Sequence, residues 1–185
     1  MQRSLVMTVI GEDRPGLVDS IAGLVAGHGG NWLESRMSRL GGHFAGILRV
    51  EVSGENELAL IAELKKLGSQ GLTVVVHPDE PKLAAAPARQ CLLEIVGQDR
   101  PGIVREISHA LAGFGVNVEE LETECASAAM SGETLFKARA RLSIPESCDR
   151  AQIRQQLERI AADLIVEISL GELTESGPAK DATSL

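Results

Sequence analysis

Apolar and polar positions along the first eighty residues change period several times, and each change marks an element. Leu5–Ile10 is a short β-branched apolar run of strand length. Gly11–Arg14 reads as a turn, and Pro15 suits the first position of a helix, where its missing N–H costs nothing. Val18, Ile21, Ala22 and Val25 then follow one helical face, and Gly27 and Gly29 stop it. Gly41-Gly42 is a two-residue hairpin signal. A loop there pairs Leu40 with His43, Ser38 with Ala45, Arg36 with Ile47 and Glu34 with Arg49. The alternate positions Leu33, Met37, Phe44, Leu48 and Val50 then point toward the helices. A second helix over about 57–67 carries Leu60, Ile61, Leu64 and Leu67 in one stripe, and Leu72–Val76 closes the series as a strand.

The series occurs twice. Gly11-Glu12-Asp13-Arg14-Pro15-Gly16-Leu17-Val18 returns as Gly97-Gln98-Asp99-Arg100-Pro101-Gly102-Ile103-Val104, and Asn31 returns as Asn117, at one offset of 86 residues. From Phe44, which returns as Phe136, the offset is 92, which places an insertion of six residues in the loop around 126–132. Val104, Ile107 and Leu111 repeat the helix face. The hairpin register carries over to Glu124–Lys137, Glu122–Arg139 and Glu120–Arg141, three cross-strand pairs of opposite charge worth about 0.2–1 kcal/mol each. Phe136, Ala138, Ala140, Leu142 and Ile144 then face inward. A last helix over about 150–162 and a strand over 164–170 complete the second copy. Each copy reads βαββαβ, an α+β, ferredoxin-like order with helices on one face of an antiparallel sheet. The division is 1–78 for the first domain, 79–90 for a proline-bearing linker, 91–173 for the second domain and 174–185 for a disordered tail.

Composition narrows the function. With 18 Lys+Arg against 26 Asp+Glu the net charge is −8, which lacks the basic footprint of a nucleic-acid binder. Aromatics at 2% argue against base-stacking modules. Three scattered cysteines without a CxxC predict neither a disulfide framework nor a zinc site, and His28, His43, His77 and His109 do not cluster, so no metal and no cofactor is expected. No apolar stretch is long enough to span a membrane, and the reading is a cytoplasmic chain. No nucleophile elbow, HExxH or P-loop is present, which points away from an enzyme. The first strand of each copy is apolar at both parities, which predicts cover on both sheet faces, from the other domain of the same chain or from a second copy, and a homo-oligomer is expected.

Both copies place Asp-Arg-Pro-Gly between the first strand and helix and Gly-x-Asn after that helix. In this the chain resembles tandem ACT domain proteins, the glycine cleavage system transcriptional repressor family in particular. The resemblance covers about residues 3–173 and implies an amino-acid sensor that acts through a partner transcription regulator, without binding DNA itself. It also implies a ligand at an interface between two such domains.

The residues supply a physical reading of the same place. A turn into a helix start leaves amides without partners at Gly16, Leu17 and Val18, and at Gly102, Ile103 and Val104. Such amides suit the carboxylate of a small amino acid, glycine or serine first. Asp13 and Asp99 are placed to accept from its ammonium group. Asn31 and Asn117 are placed to bond its polar groups, provided the two connections lie side by side. The competing reading is a ligand-free adaptor or oligomerisation module, in which Asp-Arg-Pro-Gly is only a good helix entry.

Overall fold

The structure is a computed structural model and describes residues 1–79, 87–127 and 134–173. The chain divides into two compact units, Met1–Leu83 and Ala84–Leu185. The first contains β1 (Gln2–Glu12), α1 (Leu17–Gly27), β2 (Asn31–Leu40), β3 (His43–Ser53), α2 (Glu57–Lys66), a 3-10 turn (Leu67–Gln70) and β4 (Leu72–Pro78). The second contains β5 (Ala88–Gln98), α3 (Ile103–Gly113), β6 (Asn117–Ser127), β7 (Thr134–Pro145), α4 (Arg150–Leu164) and β8 (Val166–Glu172). The sheets have the orders β2-β3-β1-β4 and β6-β7-β5-β8, antiparallel throughout. Each unit is therefore the ferredoxin-like α+β arrangement that the sequence predicts.

The hairpin registers are as predicted. Leu40↔His43, Ser38↔Ala45, Arg36↔Ile47 and Glu34↔Arg49 pair in the first unit, and Glu124↔Lys137, Glu122↔Arg139 and Glu120↔Arg141 in the second. The register shifts between Trp32 and Glu34, and again between Val118 and Glu120. A bulge at Leu33 breaks the alternation, so Leu33 is exposed rather than core-facing. Of the segment read as a linker, 80–86 lie outside the described residues, and Ala88, Arg89 and Gln90 belong to β5. The segments 128–133 and 174–185, which hold most of the insertion and the tail, also lie outside them.

The helix entries differ from expectation. Pro15 is not the first helical residue; Gly16 caps α1 at φ 92, ψ 0, and Gly102 caps α3 at φ 101, ψ −12. Arg-Pro-Gly has the residue types of a type II turn, with Pro second and a positive-φ Gly third, so the helix begins two residues later. The buried faces are accordingly Leu17, Ile21 and Val25, and Ile103, Ile107 and Leu111. Val18 and Val104, read as core, are 46% and 44% exposed. Both helices end as predicted, through Schellman bonds: Gly29 N–H to Ala26 O and Gly30 N–H to Val25 O, repeated by Gly115 to Ala112 and Val116 to Leu111.

Gly11 and Gly97 lie in strands, not in a turn. A Cβ on Gly11 would stand 2.4 Å from Gly71 O, and one on Gly97 2.6 Å from Val166 Cγ1. Each glycine lets the incoming β4 or β8 approach closely at Leu72 or Val166. Two separate cores follow, one around Leu5, Met7, Leu48, Ile21, Leu60 and Leu64, the other around Leu93, Ile107, Leu142, Ile153 and Leu157. No described helix is long and apolar enough to cross a membrane.

Candidate functional site

The sequence places its candidate site at the start of α1 and of α3, and the backbone there is open. In the first unit, the Asp13 amide donates to Gly42 O at 2.9 Å, which ties the turn to the hairpin tip. Ser20 donates to Gly16 O through both its amide (2.9 Å) and its hydroxyl (2.8 Å). No side chain caps either helix. Among the described residues no protein oxygen takes up the amides of Gly16, Leu17 and Val18, or of Gly102, Ile103 and Val104. The second unit repeats the pattern, with Asp99 N–H to Thr134 O and Glu106 N–H to Gly102 O, both 2.9 Å. A Cβ built on Gly16 or Gly102 meets nothing within 4 Å, so the space on the side-chain side of both glycines is free. Unpaired N–H groups at the positive end of a helix dipole favour an anion.

The carboxylates beside the two entrances have different partners. Asp13 is held by Arg39 Nε at 2.6 Å. Arg39 reaches it because Arg39 pairs with Phe44, which pairs with Gly11 at the end of β1. In the second unit the same lattice position, opposite Phe136 and Gly97, is Cys125. Asp99 carries no ion pair among the described residues. The sequence reading missed Arg39, although its own hairpin register places that residue next to the turn. Arg14 donates to Gln70 O at 2.9 Å and Arg100 to the Gln98 side chain at 3.2 Å, so both arginines are engaged by the protein itself.

The asparagines are not where a single unit could use them with the helix entrance. Asn31 pairs with Glu51, which pairs with Ser4 at the beginning of β1, whereas Gly16 follows the end of β1 at Glu12. Asn117 pairs with Ser143, opposite Gln90, at the same far end of the second sheet. Eight residues of strand at about 3.4 Å each separate the two ends, far more than a small zwitterion spans. The condition that the two connections lie side by side thus fails within a unit. The amides of Gly16–Val18 and Gly102–Val104 do not line the larger concavities. One of about 720 Å³ covers the open face of the second sheet, lined by Glu94, Glu122, Arg139 and Glu167. Another of about 660 Å³ lies past the end of β1, lined by Glu12, Arg14, His43 and Gly71.

Comparison with known proteins agrees with this architecture. The family model of the ACT domain matches the chain twice, at residues 3–77 and 89–171. The chain is 24% identical over 177 residues to the glycine cleavage system transcriptional repressor of Escherichia coli (strain K12), covering 95% of this chain and 93% of that protein. A crystal structure of an unknown protein from Galdieria sulphuraria superposes with a TM-score of 0.84 at 29% identity, over 94% of this chain and all of that one. A structure described as a candidate glycine cleavage system transcriptional repressor superposes with a TM-score of 0.69 at 20% identity, over 95% and 99% of the two chains.

Proposed function

Because the chain belongs to the ACT domain family, over both of its units, we propose that it is a non-enzymatic regulatory protein that responds to a small amino acid. The observation that carries this reading is the pair of unclaimed amide clusters at Gly16–Val18 and Gly102–Val104, each opening at a glycine with free space where a side chain would stand. The amides grip the ligand's carboxylate. Asp99 accepts from its ammonium group, and Asp13 does so by releasing Arg39. Asn31 and Asn117 lie at the opposite end of their own sheets, so in this reading they serve a ligand held at the entrance of a second ACT surface. Glycine and serine are the first ligands to test, since the entrances offer polar groups.

The similarity to a transcriptional repressor supports a regulatory rather than a catalytic role. In our reading the chain is a co-regulator of glycine cleavage genes that works through a partner transcription regulator. Net charge of −8 disfavours direct contact with nucleic acid. The ligand acts by binding one state of the protein more tightly than another, and so changes the surface shown to the partner. The alternative of a ligand-free adaptor draws on the Asp13–Arg39 pair, which satisfies the Asp13 carboxylate with the protein's own charge.

A thermal-shift screen with the twenty amino acids at millimolar concentration separates the two. The sensor reading predicts a raised melting temperature with glycine or serine. It predicts a smaller rise in Asn31→Ala or Asn117→Ala. No shift with any amino acid, together with capture of a protein partner that ignores them, selects the adaptor.

A further inference from the structure

The last strand of each unit leaves a helical segment through one residue in the left-handed region, and the two units use different residues there. In the first unit it is Gly71, at φ 82 and ψ 12, where the 3-10 turn passes into β4. In the second it is Ile165, at φ 57 and ψ 50, where α4 passes into β8. The positions correspond, because Leu72 pairs with Gly11 and Val166 with Gly97. Glycine takes such angles freely, whereas a β-branched side chain is strained by them. Ile165 is the one non-glycine residue at positive φ among the described residues. Its side chain is 63% exposed, so little packing offsets the strain. A second difference stands beside this one. Arg14 donates to Gln70 O at 2.9 Å, which straps the turn at the first helix entrance to the residue before Gly71. Arg100 donates instead to the side chain of Gln98, at 3.2 Å, and leaves the joint at Ile165 without a strap among the described residues.

We propose that Ile165 is a strained joint, built into the second unit alone, at which the start of β8 releases from β5. In the closed state Val166 lies hard against Gly97, where a Cβ would stand 2.6 Å from Val166 Cγ1 and 2.8 Å from Val166 Cα. The left-handed angles are what make that contact. The helix runs through Leu164, the Ile165 amide still closes on Ala161 O, and the chain must turn at once to set Val166 on the sheet. Burial of Val166, 8% exposed, keeps this state the major one. When Ile165 relaxes into the right-handed region, α4 gains a residue and Val166 is carried off Gly97. The strain favours that change, and no arginine strap opposes it. The start of β4 has an unstrained glycine and a strapped turn, so it lacks both conditions for release. The release frees the backbone of β5 at Gly97, two residues before Asp99 at the second helix entrance. It supplies a second arrangement of the unit, which a population shift requires. The joint does not depend on what the entrance binds.

Native-state hydrogen exchange of the full chain, in buffer free of amino acids, tests it. Those amides of 166–168 that bond to β5 are expected to exchange well ahead of Leu142 in the core of the same unit, which opens only on global unfolding. Ile165→Gly is expected to slow them about fivefold or more. Gly71→Ile is expected to speed the amides of 72–74 in the first unit by about the same factor. A Cβ on Gly71 meets nothing within 4 Å, so this variant adds strain without a clash. Amides of 166–168 that exchange no faster than Leu142, or at an unchanged rate in Ile165→Gly, would each overturn the proposal, as would a first unit unaffected by Gly71→Ile. Amino-acid binding is not read in this experiment, so failure here leaves the sensor reading standing.

Discussion

The backbone of the two helix entrances is alike, and the two open sheet faces are not. Gly16 and Gly102 take the same left-handed angles, both helices end in the same bonds, and both leave three amides unclaimed. Across the open faces, by contrast, Ile47 answers to Arg139 and Ala45 to Lys137. Duplication preserved residues where the backbone admits few choices, as at a positive φ or a close approach of strands. It let residues diverge where water accepts either chemistry. The entrances therefore speak to what the two units share, and the faces to where they differ.

Neighbouring residues on β3 give the largest expected effect. Leu48 lies on the helix-facing side of the first sheet and is fully buried, while Ile47 lies on the open side. Leu48→Ala should cost about 2–5 kcal/mol in denaturant unfolding of the first unit. Ile47→Ala should cost less than about 1 kcal/mol in the same measurement. Equal costs would break the distinction between the two sides of that sheet.

A smaller effect distinguishes the layers of the second unit. Burial of Cys91 on the inner side of β5 raises its thiol above the ordinary value of 9.0. The folded chain holds that proton more tightly than the unfolded chain does. The associated stability is therefore present below the ordinary value and is lost as pH rises through the raised one. Exposed Cys125 should react with a thiol reagent at once and Cys91 only on unfolding. Rapid labelling of both in native protein would contradict the burial of the inner layer.

Much of the fold was legible because the chain states it twice. Gly41-Gly42 fixed the first hairpin, and its register, carried over by the repeat offsets, set Glu120, Glu122 and Glu124 against Arg141, Arg139 and Lys137, opposite charges that support it. What escaped has local physical causes. A bulge adds one residue, so alternation through Leu33 sends it to the wrong side. Pro15 was assigned to a helix, where a type II turn with Gly16 uses the same two residues equally well and delays the helix to Leu17. That delay also exposed Val18 and Val104. At the candidate site the residue types were legible but their convergence was not, because motif spacing does not reveal that Asn31 and Gly16 stand at opposite ends of one sheet.

The most direct test observes the amides themselves. Backbone ¹⁵N–¹H resonances of Gly16, Leu17, Val18, Gly102, Ile103 and Val104 can be followed while glycine or serine is added to the full chain. Saturable shifts concentrated at one or both helix starts, lost when the ligand's carboxylate is replaced by an amide, are the predicted result. Amides that stay unmoved at millimolar amino acid, while the chain remains folded, would contradict the account.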